Sequence, residues 1–181
     1  IAKEIEKAHG KAASFYGKKG NIIRTKKYFV TTTKGKKLDL GFTGIVKGIN
    51  KTPLLRTIKD GFIPVVTSLG VGEGGKLYNV NADQAASSIA ASLKVSKLII
   101  LTDVKGVLDH DGNLIPEINS KQINNLIKNG IISGGMVPKV KAGLHALKKG
   151  VKKVHIIDGR IPHALLLEVF TDTGIGTMVV K

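Results

Sequence analysis

No cysteine occurs in the 181 residues, so neither disulfides nor thiolate metal sites can hold this fold together. Tryptophan is also missing and aromatics make up only 4% of the chain. Few platforms are therefore available for stacking nucleic-acid bases, and nucleic acid is not the expected partner. No apolar run approaches the ~20 residues that span a bilayer, so a membrane partner is not expected either. No apolar core of a signal peptide follows Ile1, which opens a charged segment instead. Acidic residues are scarce, 13 against 29 Lys and Arg, which gives a net charge of +16. The excess is concentrated at the front, where residues 1–60 hold 15 basic and 4 acidic side chains. Such a front could attract any phosphorylated ligand, although most of its lysines read as a solvated face. With 42% hydrophobic residues, the chain is long and apolar enough for a domain with a real core.

The first sixty residues read as a helix, a turn and a β-hairpin or meander. Ile1, Ile5 and Ala8 share a helical face that Gly10 terminates, and no residue precedes Ile1 to cap it, so the helix looks cut. Strands are expected at Ile22–Arg24, at Lys27–Val30 and at Gly44–Asn50, with a basic loop over Thr31–Lys37. Pro53–Lys59 reads as a short helix. From residue 60 onward strands and helices alternate, which predicts an α/β fold with a largely parallel sheet. The strands are Phe62–Thr67, Lys97–Thr102, Lys153–Ile157 and Gly176–Val180. Lys97–Thr102, a continuous apolar run, reads as buried on both faces. The helices are 82–94, one capped by Ser120 and running to Lys128, one from about Met136 to Lys149, and one opened by Pro162 and running to Phe170. Ligands of such sheets bind beyond the carboxyl ends of the strands, which here means Ser68–Gly75, Thr102–Gly106 and Asp158–Arg160. No internal repeat and no long linker demands two independent domains.

Two glycine segments invite a phosphate reading. Gly70-Val71-Gly72-Glu73-Gly74-Gly75 fits a dinucleotide fingerprint by letter, and with Lys76 most of a P-loop. Leu77 stands where a P-loop needs Ser or Thr, and no helix begins at these glycines, so a flexible turn is the better reading. Ser133-Gly134-Gly135-Met136-Val137-Pro138-Lys139 leads straight into a helix, which places Lys139 in its first turn. There the helix dipole and the ammonium would both favour phosphate, although a plain capping loop fits equally well. Tyr78-Asn79-Val80-Asn81-Ala82-Asp83 places Asn79 and Asn81 on one side of an extended chain, with Asp83 at a helix start. Alone, this is an Asn-rich turn with an Asp cap. Together with the Thr102-Asp103 strand end and Lys139, it forms a phosphoryl-transfer set without a catalytic base. An ionised carboxylate acceptor needs no base, only cations on the migrating phosphoryl and a group that fixes them. Asp83 and Lys139 are accordingly expected to meet in space.

Four segments occur in the order found in the acetylglutamate kinases of the amino acid kinase family. They are Tyr78–Ala86, Leu101–Leu108, Ser133–Lys139 and His155–Arg160, and Asp39–Phe42 and Gly61–Val65 add to the likeness. The chain resembles that family from its first helix to Lys181. The resemblance implies a three-layer αβα sandwich around a mainly parallel sheet. It also implies a partial amino-acid-binding lobe with the β-hairpin over 1–60 and a nucleotide-binding lobe over 61–181. The implied reaction converts ATP and N-acetyl-L-glutamate, with Mg2+, to N-acetylglutamyl 5-phosphate and ADP, a step of arginine biosynthesis. By position, Asn79 and Asn81 would bind substrate, Asp83 would organise the catalytic lysines, and Lys139 would stabilise the transferring phosphoryl. Thr102, Asp103, Val104, Lys105, Gly106, Val107 and Leu108 would line the nucleotide site with Ile131, Ile132, Ser133, Gly135 and Met136. No side chain is assigned to a metal.

The ending, His163 to Met178, looks like that of members inhibited by arginine. His163, Glu168, Gly174 and Gly176 would then hold the effector. A homo-oligomer in the cytoplasm, or in a plastid, goes with this reading. Departures from the family pattern are specific. The lysine and substrate loops that relatives carry ahead of the first helix have no counterpart here, and the cut-looking helix at Ile1 agrees with a partial chain. Lys19 replaces an acid in the Gly17–Gly20 turn. His145 stands where relatives that bind the PII signalling protein carry Arg, which argues against PII as a partner. The alternative is a non-catalytic module that binds ATP or arginine without turnover.

Overall fold

The computed structural model describes residues 1–171 and 174–181. Asp172 and Thr173, part of the carboxy-terminal motif, lie outside the described residues. Two compact units are present, Ile1–Leu93 and Lys94–Lys181. This division follows contact density and is distinct from the functional lobes expected on either side of residue 60.

In the first unit, helix α1 (Ala2–Lys7) leads to strand β1 (Ala12–Phe15). Strands β2 (Ile23–Thr31) and β3 (Lys37–Ile49) form the expected hairpin. β2 is one strand where two were expected, because register shifts at Arg24/Thr25 and Lys27/Phe29 absorb the irregular stretch between them. The tip is short, and Lys27 beyond it donates to Asp39 across the strands at 2.6 Å. Helix α2 (Thr52–Lys59) is followed by β4 (Ile63–Val66), which pairs in parallel with β1. β5 (Leu69–Val71) and β6 (Leu77–Asn79) then close a four-stranded barrel in the order β2-β3-β6-β5. Helix α3 (Ala82–Leu93) completes the unit, and Phe15, Ile22, Ile23, Leu54, Val80 and Ala85 form its core. Full burial of each large apolar side chain contributes about 1.5–3 kcal/mol.

The barrel explains the glycines of 70–75. A flexible turn was expected there, but Gly70 is the centre of a strand. A Cβ on Gly70 would sit 2.1 Å from Thr25 Cγ2, and one on Gly72 would sit 2.5 Å from Tyr78 Cε2. Gly44 on the facing strand is equally close to Tyr78, at 2.7 Å from its Cβ. Glycine is needed because a four-stranded barrel leaves little interior, and Tyr78 fills it with only 7% exposure.

In the second unit, β7 (Lys97–Thr102) pairs in parallel with β9 (Lys153–Asp158). β10 (Thr177–Val179) lies antiparallel to β9 and parallel to β8 (Glu117–Ile118), giving the order β7-β9-β10-β8. Helices α4 (Ser120–Lys128), α5 (Met136–Lys148) and α6 (Ala164–Phe170) complete the α/β pattern. α5 buries Val140, Gly143 and Leu147, three and four residues apart, on one face. Gly143 lets that helix approach β9, since a Cβ there would lie 3.2 Å from Val154 Cγ1.

Three local expectations change. β7 is buried on one face only: Leu98 and Ile100 are inside, whereas Leu101 is 47% exposed. An unbroken apolar run cannot distinguish one covered face from two. Asn119, not Ser120, caps α4: its side chain accepts from Lys121 and Gln122 amides while Gln122 reaches back to the Asn119 amide. α6 starts at Ala164, after His163 in the left-handed region at φ 59°, rather than at Pro162.

Gly70→Ala is expected to destabilise the chain by about 1–3 kcal/mol through overpacking against Thr25. Chemical denaturation measures the loss, and adding Thr25→Ser, which removes the opposing methyl, should recover part of it. Equal stability of Gly70→Ala and the unaltered chain would show that the barrel is not packed this tightly.

Candidate functional site

Tyr78 to Asp83 forms the exit from the barrel. Asn79 ends β6 with Thr43 on one side and Leu69 on the other, and its side chain is exposed. Val80 is buried between Asn79 and Asn81, so the two amides do share the outward side. Asn81 has a structural duty: its Oδ1 accepts the Gln84 amide at 3.0 Å, which makes it, rather than Asp83, the cap of α3. Asp83 stands half-buried in the first turn, where the helix dipole favours its negative charge.

In the second unit a cleft of about 300 Å³ opens between two of the expected segments. Val104, Gly106, Val107 and Leu108 line one wall, and Ile131, Ile132, Ser133 and Met136 the other. Thr102, Asp103, Lys105 and Gly135 were expected with them but do not line the cleft. Asp109, His110 and Gly112 also line it and were not among the expected site residues.

The Gly106–Val107 wall is held from below. Thr177 Oγ1, fully buried on β10, accepts the Val107 amide at 2.8 Å. Gly106 (φ 148°) passes so close that a Cβ would meet Thr177 Oγ1 at 2.7 Å. Across the cleft, Gly134 (φ 51°) and Gly135 turn the chain into α5. No side chain caps α5, and Lys139 lies in its opening turn. Of its opening donors, the Met136 amide is taken by the Ser133 carbonyl at 3.2 Å and Pro138 has none, so the cation of Lys139, rather than a fan of amides, is what this end of the helix presents.

The carboxyl ends of β7 and β9 carry a connected polar cluster. Thr102 stands opposite Asp158, and its carbonyl accepts the Gly159 amide at 2.8 Å. Asp158 Oδ1 accepts both the Arg160 amide and Nε, each at 2.9 Å, and Oδ2 accepts Nη2 at 2.8 Å. These bonds hold the Asp158 carboxyl down at about 2, from an ordinary 3.8. Arg160 is shifted upward in turn, mainly by its bonds to Asp158 and to a smaller degree by the charge of Asp103.

The carboxy-terminal residues also gather. Glu168, 5% exposed, lies on α6 with its Oε2 3.4 Å from the Ile175 amide, and a Cβ on Gly174 would lie 3.8 Å from the same oxygen. Its other oxygen meets His155 Nδ1 at 2.5 Å. His155 was not singled out from sequence, since a lone histidine in an apolar strand carries no local signal. Burial pushes its pKa down despite the nearby Glu168 charge, and its Nε2 is buried without a partner. A neutral ring donating Nδ1–H to Glu168 satisfies both facts. His163 holds the N-cap position of α6 through its backbone, its carbonyl accepting the Leu166 amide at 2.8 Å, and its side chain makes no cap bond. Gly176 has a packing reason, because a Cβ there would lie 2.3 Å from the Ile156 carbonyl. Among the described residues, no group of three or more His, Cys, Asp or Glu could hold a metal ion, and no helix is long and apolar enough to cross a membrane.

Comparison with known proteins places these features in context. Residues 6–158 match the profile of the Amino acid kinase family. An acetylglutamate kinase of Syntrophus aciditrophicus (strain SB) is 48% identical over 181 residues, covering 97% of this chain and 61% of that protein. The acetylglutamate kinase of Methanocaldococcus jannaschii is 45% identical, covering 100% and 63%. The chain thus spans about 60% of the length of these curated relatives. Among solved structures, N-acetylglutamate synthase from Neisseria gonorrhoeae, complexed with coenzyme A and L-arginine, superposes with a TM-score of 0.82 at 27% identity. That match covers 95% of this chain and 38% of the synthase.

The Asp158 carboxyl ionises more readily in the fold than in the unfolded chain. Its contribution to stability is therefore complete above pH 3.8 and is lost as pH falls through about 2. Asp158→Asn should be less stable than the unaltered chain at pH 7, and the gap should close between pH 4 and 2. Urea midpoints across that range check it, and a gap that does not vary with pH would refute the assignment.

Proposed function

The chain belongs to the amino acid kinase family, and on that premise we propose that it carries the nucleotide site and much of the acceptor site of an acetylglutamate kinase. The reaction is transfer of the ATP γ-phosphoryl to the side-chain carboxylate of N-acetyl-L-glutamate, giving N-acetylglutamyl 5-phosphate and ADP, in arginine biosynthesis. The observation that carries this reading is the cleft between Val104–Leu108 and Ile131–Met136, which two separate segments of the family pattern build together. Relatives named acetylglutamate kinase, similar along nearly the whole chain, support the choice of acceptor.

The chemistry asks little of a base. The acceptor carboxylate is already ionised at neutral pH, so the barrier lies in bringing anions together and in the charge on the migrating phosphoryl. Lys139, at the start of α5 where the helix dipole also favours an anion, meets that charge. Asp83 organises the lysines that do so. Asn79, exposed at the end of β6, holds the α-carboxylate side of the acceptor, and Asn81 shapes the same corner through its cap on α3. In this reading Mg2+ would be carried on the ATP phosphates, where it would neutralise part of their charge. A cytoplasmic or plastid setting and a homo-oligomer go with it.

Arginine is proposed as an effector. Glu168 is a buried carboxylate beside the Gly174–Gly176 turn, with one oxygen held by His155 and the other only weakly engaged at 3.4 Å. A carboxylate so placed suits a guanidinium. The N-acetylglutamate synthase neighbour, with L-arginine in its structure, supports the same reading.

Coupled ADP release, measured on this chain with and without N-acetyl-L-glutamate, tests the activity. Release that depends on the acceptor supports the kinase, whereas ATP binding without turnover supports a non-catalytic module. In an enzyme that contains this chain, Lys139→Ala should lower kcat about 10²–10³-fold with little change in ATP affinity. Equal losses in both would remove Lys139 from the transition state. Glu168→Gln, which keeps the shape of the side chain, should weaken arginine inhibition about tenfold and spare uninhibited turnover, the scale of one lost charge-assisted contact. Unchanged inhibition would take Glu168 out of the effector site.

A further inference from the structure

The cleft continues past both expected segments onto a small hairpin. Leu108 pairs with Leu114, the Asp109 amide donates to the Asn113 carbonyl at 2.9 Å, and the Ile115 amide donates to the Val107 carbonyl at 2.9 Å. Asp109 fixes the tip: its Oδ1 accepts the Asp111 amide at 2.9 Å and the Asn113 amide at 2.8 Å, and its Oδ2 faces Asn113 Nδ2 at 3.4 Å. These bonds, the Asn113 amide first, hold the Asp109 carboxyl below the usual carboxylate range. Gly112 (φ 78°) permits the turn. His110, between them, lines the cleft with its imidazole 86% exposed and its Nδ1 3.3 Å from the Asp111 carboxylate.

We propose that this hairpin is a third wall of the nucleotide cleft, in which His110 contacts the base of the bound nucleotide and Asp109 positions it. The inference rests on the nucleotide reading given above. Its argument is the division of chemistry around the cleft. Val104, Val107, Leu108, Ile131, Ile132 and Met136 make the walls apolar. An apolar slot suits a flat heterocycle, whereas phosphates call for a cation, which Lys139 offers at the start of α5. Among the described lining residues, His110 is the one with a ring. A planar imidazole on a turn whose backbone is already fixed can stack on a base, with only its own two side-chain torsions left to order. Asp109 does not touch the ligand in this arrangement. It acts through the turn.

Calorimetric titration of the full chain with ATP, adenosine and inorganic tripolyphosphate tests the proposal. His110→Ala should weaken ATP and adenosine by the same factor, about fivefold, the lower end of what loss of a stacking ring costs. Tripolyphosphate binding should not move. His110→Phe, which keeps a ring without the nitrogens, should restore adenosine binding to within about twofold of the original on the same stacking argument. Asp109→Ala should reproduce the adenosine loss. If His110→Ala binds adenosine as tightly as the unaltered chain, or loses tripolyphosphate instead, the proposal is overturned and the nucleotide reading survives. If the unaltered chain binds neither ATP nor adenosine, that reading falls and the proposal falls with it.

Discussion

Parallel pairing of β7 with β9 keeps one register for six residues, from Lys97 opposite Lys153 to Thr102 opposite Asp158, and it decides where the chemistry of the second unit can sit. Because the strands run the same way, both chains leave the sheet at the same edge. Thr102-Asp103 and Asp158-Gly159-Arg160 therefore emerge side by side, and the Thr102 carbonyl is free to take the Gly159 amide. A slip of one residue would exchange the two faces of β9, moving Val154 and Ile156 to the side on which His155 meets Glu168. The cleft inherits this register through β10. Thr177 lies opposite Ile156 and reaches the Val107 amide from there. The wall of the cleft is thus tied, by one buried hydroxyl, to the strand that also carries Asp158.

Close backbone approach is the second constraint, and it acts in both units. Gly70 and Gly72 let Thr25 and Tyr78 into the barrel, and Gly106 and Gly176 let the second sheet close around Thr177 and Ile156. At each of these four the packing of the chain itself requires glycine. Gly134 and Gly135 differ: a Cβ would meet nothing within 4 Å at either position. Packing requires glycine at neither, and Gly134 has a backbone reason of its own in a φ of 51°. Open space beside glycines at the start of a long helix is what a ligand's approach requires.

This contrast shows what could be read from the sequence. The alternation of strands and helices after residue 60 was legible because strongly apolar segments such as Lys97–Thr102 and Lys153–Ile157 sit between glycine breaks. Their existence depends on local composition, and the structure contains them. What stayed hidden depends on partners distant in the chain. Gly70 looked like part of a turn because the barrel that needs it is completed by Thr25, some 45 residues earlier in a chain numbered from Ile1. Leu101 looked buried because nothing in an apolar run records whether a second layer covers it. Asn119 took the cap from Ser120 through a reciprocal bond with Gln122, a choice between adjacent cap-formers that composition leaves open.

The site residues divide along the same line. Val104–Leu108 and Ile131–Met136 could be found because each is a contiguous motif. His155 and Glu168, 13 positions apart on a strand and a helix, become a pair only when α6 folds against the sheet. Glu168 inverts the ordinary logic of a helix, since α6 buries its acid while Leu166 and Phe170 stay 55% and 79% exposed. Burying a carboxylate costs several kcal/mol unless hydrogen bonds offset it, and here His155 and the Ile175 amide provide that offset only in part. A helix selected for stability alone would place a leucine at 168. That the acid stands there, with one oxygen only weakly satisfied, is the physical reason to look for a cationic ligand beside it.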